Sequence, residues 1–86
     1  MHAMEKRIAE KLQAEFSPSL LEVVDDSESH RGHGGWREGG GTHFNVKMRS
    51  DAFKDMSRVA AQRTVMKALK EEFDAGLHAL ALDIGV

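Results

Sequence analysis

The 86-residue chain has no cysteine and no tyrosine, one proline and one tryptophan. Without cysteine there is no disulfide and no thiolate nucleophile. Nor is there any zinc or iron–sulfur site built from the chain's own sulfur. Long apolar runs are also missing. The most apolar stretches, LLEVV and ALAL, fall far short of the ~20 residues of a membrane span. The opening MHAMEKRIAEKLQ is charged within five residues and lacks the apolar segment of a secretion signal, so a cytoplasmic protein with no membrane role is expected. Charge of one sign is not in excess. Twelve basic residues face fourteen acidic ones for a net charge of −2, and no global field draws the chain to nucleic acid or lipid. No G-x-S-x-G, P-loop or dinucleotide fingerprint occurs, and no serine, threonine or lysine sits in a recognisable nucleophile setting. An enzyme is not expected.

What remains is an ordinary globular composition, 41% hydrophobic and 30% charged, in a length that accommodates one core. Residues 1–86 read as a single domain. With no covalent staples, it must be held by helix and sheet packing alone. Met4, Ile8, Leu12 and Phe16 recur every four residues and predict a helix, which Ser17-Pro18 ends. Leu20–Val24 is short and β-branched and reads as a strand. Residues 26–41 read as a mobile loop rich in glycine and histidine. From Thr42 to Arg49, Phe44, Val46 and Met48 alternate with His43, Asn45 and Lys47, the period of a half-buried strand. Ser50 can cap a short helical turn through Met56, and Ser57 a longer helix to about Phe73. Met56 and Met66 read as core, as do Leu69 and Phe73, with Val59 and Val65 nearby. Gly76 suits a helix C-cap. Leu77–Ile84 reads as a third, mostly buried strand. The order α-β-β-α-α-β, three strands with helices on one face, is an α+β sandwich and the order of the KH-like fold in its second (class II) topology. RNA-gripping KH domains carry G-x-x-G between two helices. The junction here, Lys54-Asp55-Met56-Ser57, has no glycine.

Histidine is the strongest ligand or proton carrier left once cysteine is absent. Six of the eight glycines and three of the five histidines lie between positions 30 and 43. His30 and His33 form H-x-x-H on the glycine loop, a spacing equally at home in a solvated polar loop. By strand parity His78 shares a side with Leu80, Leu82 and Ile84. It is either a satisfied boundary residue or a ligand held on a rigid strand. His43 alternates away from the apolar side and reads as structural. Between Lys47 and Lys70 seven basic residues face two acidic ones, a local +5, and the rest of the chain carries −7. Arg63, Lys67 and Lys70 fall at i, i+4, i+7 on the long helix. The stripe is either a solvated face or a docking surface for phosphates or an acidic partner.

Several stretches, taken together, resemble one family over nearly the whole chain. They are Ile8…Lys11-Leu12 with Phe16-Ser17-Pro18, Leu21-Glu22-Val23-Val24-Asp25-Asp26-Ser27, Ser29-His30-Arg31-Gly32-His33-Gly34-Gly35, Thr42-His43-Phe44-Asn45-Val46, Phe53 followed by Ser57-Arg58-Val59, and Leu77-His78-Ala79-Leu80-Ala81-Leu82. The chain is similar to BolA-like proteins. That resemblance implies a KH-like α+β fold and partnership with a monothiol glutaredoxin. It further implies a [2Fe–2S] cluster shared between the two, with sulfur ligands from the glutaredoxin and glutathione. The BolA-like partner adds a C-terminal strand histidine and a His or Cys of the hairpin loop. Carried over by position, the strand ligand is His78 and the loop ligand His30, with His33 in competition. No cofactor is expected in the isolated chain. Imidazole replacing thiolate on one iron is established chemistry. The resemblance also brings an alternative, a DNA-binding transcriptional regulator using Arg58, Arg63, Lys67 and Lys70. Ala61-Gln62-Arg63, where family members often carry Arg-His-Arg, weakens it. A second copy of the chain is the remaining candidate partner for the free form.

Overall fold

The computed structural model describes residues 3–26 and 43–86. The first helix, α1, spans Ala3–Phe16. Met4, Ile8, Leu12 and Phe16 form one stripe along it and are all buried. At ~1.5–3 kcal/mol for each large apolar side chain removed from water, this stripe far outweighs the intrinsic helicity of fourteen residues, which is marginal in isolation. Packing therefore holds the helix. It stops where Ser17 turns to φ 43° ahead of Pro18. The carbonyl of Phe16, left without a helical partner, accepts the Ser50 hydroxyl at 2.6 Å.

Strand β1, Leu20–Asp25, pairs antiparallel with β2, His43–Arg49, from Leu20 opposite Arg49 to Asp25 opposite Phe44. Strand β3, Ala79–Gly85, pairs parallel with β2, from His43 opposite Ala79 to Arg49 opposite Gly85. The sheet order is β1-β2-β3. A parallel neighbour needs a crossover connection, supplied by a 3₁₀ turn, Asp51–Phe53, and two helices, α2 (Arg58–Ala68) and α3 (Lys70–Asp74). Phe44, Val46 and Met48 from β2 join the apolar stripes of α1 and α2 in one core. Leu21, Val23, Leu80, Leu82 and Ile84 pack against its edge. Helices thus cover one face of the sheet. Glu22, Val24, Asn45, Lys47, Ala81 and Asp83 stay exposed on the strands. This is the α+β arrangement, in the α-β-β-α-α-β order, that the sequence predicts. Among the described residues no helix is long and apolar enough to cross a membrane.

Three details depart from expectation. The predicted helix through Phe73 divides at Leu69, whose φ −101° and ψ 17° leave the α-helical region. No proline or glycine marks that point. Leu69 is fully buried, and the division separates the axis of α3 from that of α2. Met56 and Met66 are not core: they are 41% and 37% exposed. The buried positions are instead Ala61 and Val65 on α2 and Leu69 at the division, with an acid, Glu72, buried on α3. Val59 is exposed as well. Finally, β3 is half-buried rather than mostly buried and begins at Ala79, so strand parity does not extend to His78. The expected caps do form. Ser50 Oγ accepts from Ala52 N–H and Ser57 Oγ from Ala60 N–H, both at 3.1 Å. Gly76 adopts φ 126°, open to glycine at little cost. In the glycine-free junction before α2, Asp55 takes the positive φ, 70°.

Candidate metal-ligand site

One end of the sheet gathers the residues with ligand chemistry. The register that sets His43 opposite Ala79 brings the start of β2 beside the start of β3. His78 precedes Ala79, and its ring centroid lies 5.3 Å from that of His43, with the planes tilted by 55°. The two differ in access. His43 is 4% exposed, whereas His78 is exposed at the end of the chain's last turn. Asp25 and Asp26 close the same end of β1, and the Asp26 N–H donates to the His43 carbonyl at 2.8 Å. A shallow cavity of about 150 Å³ lies beside the pair, lined by His43, Phe44, Asn45, Ala79, Leu80 and Ala81.

The turn that delivers His78 is fully hydrogen-bonded. The Gly76 N–H donates to the Phe73 carbonyl at 3.3 Å and the Leu77 N–H to the Glu72 carbonyl at 3.0 Å. These are the two bonds of a Schellman motif, with glycine at the position of positive φ. Leu77 then plugs into the core at 3% exposure. His78 is thus held from both sides, by a buried anchor before it and the β2 ladder after it.

Two imidazoles bound to one metal through bonds of about 2.1 Å have ring centres roughly 5 Å apart. A tilted ring pair has the same separation. Exposure separates the roles: the buried ring is a fixed neighbour, and the exposed one can meet an incoming group. Among the described residues no three His, Asp or Glu side chains converge on a metal position. An exposed imidazole such as His78 has the donor chemistry for one position on an iron of a mixed nitrogen–sulfur cluster, and such a cluster would need its remaining ligands from elsewhere. His30 and His33 lie outside the described residues, as does all of the predicted loop except Asp26.

His43 reads as structural from strand alternation, and the structure buries it; what alternation does not reveal is its meeting with His78. Its signal lies in topology: a helical crossover makes β2 and β3 parallel, so their first residues meet. The basic residues divide. Arg58, Arg63 and Lys67 are exposed on α2. Lys70 is not part of one stripe with them, because the division at Leu69 places it on α3, where it pairs with Asp74 at 3.3 Å.

Comparison with known proteins agrees with the fold. The family profile described as BolA-like protein matches residues 12–85. The chain is 46% identical over 78 residues to the chloroplastic protein BOLA1 of Arabidopsis thaliana, covering 88% of this chain and 49% of that one. It is 40% identical over 77 residues to the DNA-binding transcriptional regulator BolA of Escherichia coli, covering 90% and 70%. The solved BolA domain of SufE1 from Arabidopsis thaliana superposes with a TM-score of 0.90 at 40% identity, covering 99% of this chain and 93% of that one. The chain thus spans about half the length of one curated relative and most of the other.

Proposed function

The chain belongs to the BolA-like family, and from that premise we propose that it is a non-enzymatic partner of a monothiol glutaredoxin. Together with glutathione the two proteins co-ligate a [2Fe–2S] cluster, in cluster assembly and trafficking or in iron regulation, within the cytoplasm. One observation carries the reading: an exposed imidazole, His78, at the sheet end of a chain with no cysteine thiolate of its own. The cluster would supply its iron charge and redox chemistry. This chain's part is to present nitrogen at one edge and leave thiolates to the partner. The ends of the segment that carries His30 and His33 are fixed at that same edge, since Asp26 and His43 are hydrogen-bonded to each other. His30 is four residues from Asp26, a tether of at most ~14 Å, and His33 seven residues, ~25 Å. The shorter one costs less entropy to close, which favours His30.

Co-expression with a monothiol glutaredoxin, followed by visible absorption and circular dichroism of the glutathione-loaded heterodimer, tests this. His78→Ala is expected to alter the spectrum, and either His30→Ala or His33→Ala to do the same. An unchanged spectrum in His78→Ala refutes the ligand assignment. Tight one-to-one metal uptake by the lone protein would favour an isolated metal site instead.

A second reading, DNA binding through α2, is supported by the exposure of Arg58, Arg63 and Lys67. A relative's designation as a DNA-binding transcriptional regulator points the same way. It ranks second because the net charge is −2 and Lys70 lies on α3 beside Asp74, off the α2 face.

A further inference from the structure

Glu72 is a charged side chain in the wrong place for solubility. It is 2% exposed, on α3 three residues beyond the fully buried Leu69. Its Oε2 accepts from Arg7 Nη2 of α1 at 3.0 Å. Its Oε1 has no hydrogen-bond donor, and Lys11 Nζ stands 3.6 Å away. Lys11 also reaches Glu71 at 3.4 Å. Glu72 is buried while Arg7 and Lys11 remain partly exposed, and such a pair is weak evidence for stability, because desolvating the carboxylate consumes much of the Coulomb gain. Its best-attested use is to fix register between elements that apolar contact would let slide.

The same residue has a second tie. Its carbonyl receives the Leu77 N–H in the turn that delivers His78. Glu72 is therefore clamped to α1 through its side chain and to the entry of β3 through its backbone. α3 has only five residues, held at its ends by the buried Leu69 and Leu77, and Glu72 adds a polar tie from its middle to α1. Phe73 is half-buried, and Lys70–Asp74 is an exposed pair within the helix. We propose that Glu72, gripped by Arg7 and Lys11, is a positioning residue that sets where His78 stands relative to His43 and so presents the ligand nitrogen to its partner. The proposal rests on the reading of His78 as a ligand. It adds that the geometry of this ligand is set by an ion pair between α3 and α1.

The first readout is the metal-free protein. Two-dimensional NMR measures ring-to-ring cross-relaxation between His43 and His78 and the amide shifts of residues 77–80. In Glu72→Ala, and separately in Arg7→Ala, which leaves α3 unaltered, that cross-relaxation is expected to fall severalfold and the 77–80 amides to shift. Lys70→Ala, which breaks only the exposed pair, is expected to leave both unchanged. Glu72→Gln keeps the shape and one acceptor, and is expected to fall between. If the Arg7→Ala and Glu72→Gln proteins melt earlier but keep wild-type cross-relaxation and shifts, Glu72 is merely structural and the proposal is overturned. The second readout is the circular dichroism of the loaded heterodimer, expected to change in Arg7→Ala in the direction of His78→Ala. If His78→Ala leaves that spectrum unchanged while the NMR effect persists, the ligand reading fails and the positioning of His78 by Glu72 stands. Loss of the NMR effect alone fails only the positioning.

Discussion

Ser50 joins three elements, and removing its hydroxyl is the sharpest test of how the fold is tied. The side chain is buried, donates to the Phe16 carbonyl at 2.6 Å and accepts from the Ala52 N–H at 3.1 Å. The Ser50 N–H also donates to the Gly85 carbonyl at 2.9 Å, so the residue links α1, the 3₁₀ turn and β3. Ser50→Ala keeps the Cβ and the backbone bond. It loses a cap, worth about 1 kcal/mol. It also strands a buried carbonyl, worth about 1–3 kcal/mol. The expected loss is about 2–4 kcal/mol, a large share of the ~5–15 kcal/mol that holds a typical domain. At ~4–8 °C per kcal/mol for a domain of this size, Tm falls by at least roughly 10 °C. Urea unfolding followed by far-UV circular dichroism should show a lower midpoint with an unchanged slope. The His43–His78 contact lies at the other end of the strands, roughly 20 Å away at ~3.3 Å per residue, and should survive in the folded fraction. A loss below about 0.5 kcal/mol, the scatter of ordinary surface changes, would refute the reasoning: the Phe16 carbonyl would then have found water or another donor.

Other expectations follow from the same geometry. Leu12→Ala opens the centre of the α1 stripe, where the side chain is fully buried, and should cost about 2–5 kcal/mol in chemical denaturation. Gly76→Ala forces a Cβ onto φ 126°. It should cost about 1–3 kcal/mol, and NMR should show the 77–80 amides moving, because the turn that carries His78 must relax. For DNA, Arg63→Ala combined with Lys67→Ala should abolish any salt-dependent duplex binding, read by fluorescence anisotropy. Absence of wild-type binding at ~50 mM salt counts against that second reading altogether.

The element order was legible because local chemistry and packing agree over most of the chain. A four-residue apolar period, Ser17-Pro18, an alternating strand and two serine caps each have one cheap solution. The helix division at Leu69 was not legible. Leu69 is a good helix former, and the choice is made by what it and Glu72 meet across the core. The burial of Met56 and Met66 was misread for a related reason. Both lie near the apolar stripe by spacing, but the packed side runs through Ala61 and Val65, where α2 lies closer to the sheet.

The sequence by itself determined the chemistry on offer: imidazole but no thiolate, a glycine-rich segment between two strands, the helix–strand order, and enough motif to point to a family. Those are properties of residue type and spacing, and they survive any arrangement in space. Only the tertiary structure decided which groups meet. The parallel register set His43 beside His78, and the Schellman turn left His78 exposed while burying its neighbour Leu77. Across α3, Arg7 and Glu72, sixty-five residues apart, formed a pair. Contacts between distant residues depend on how two elements pack, and no local period encodes that.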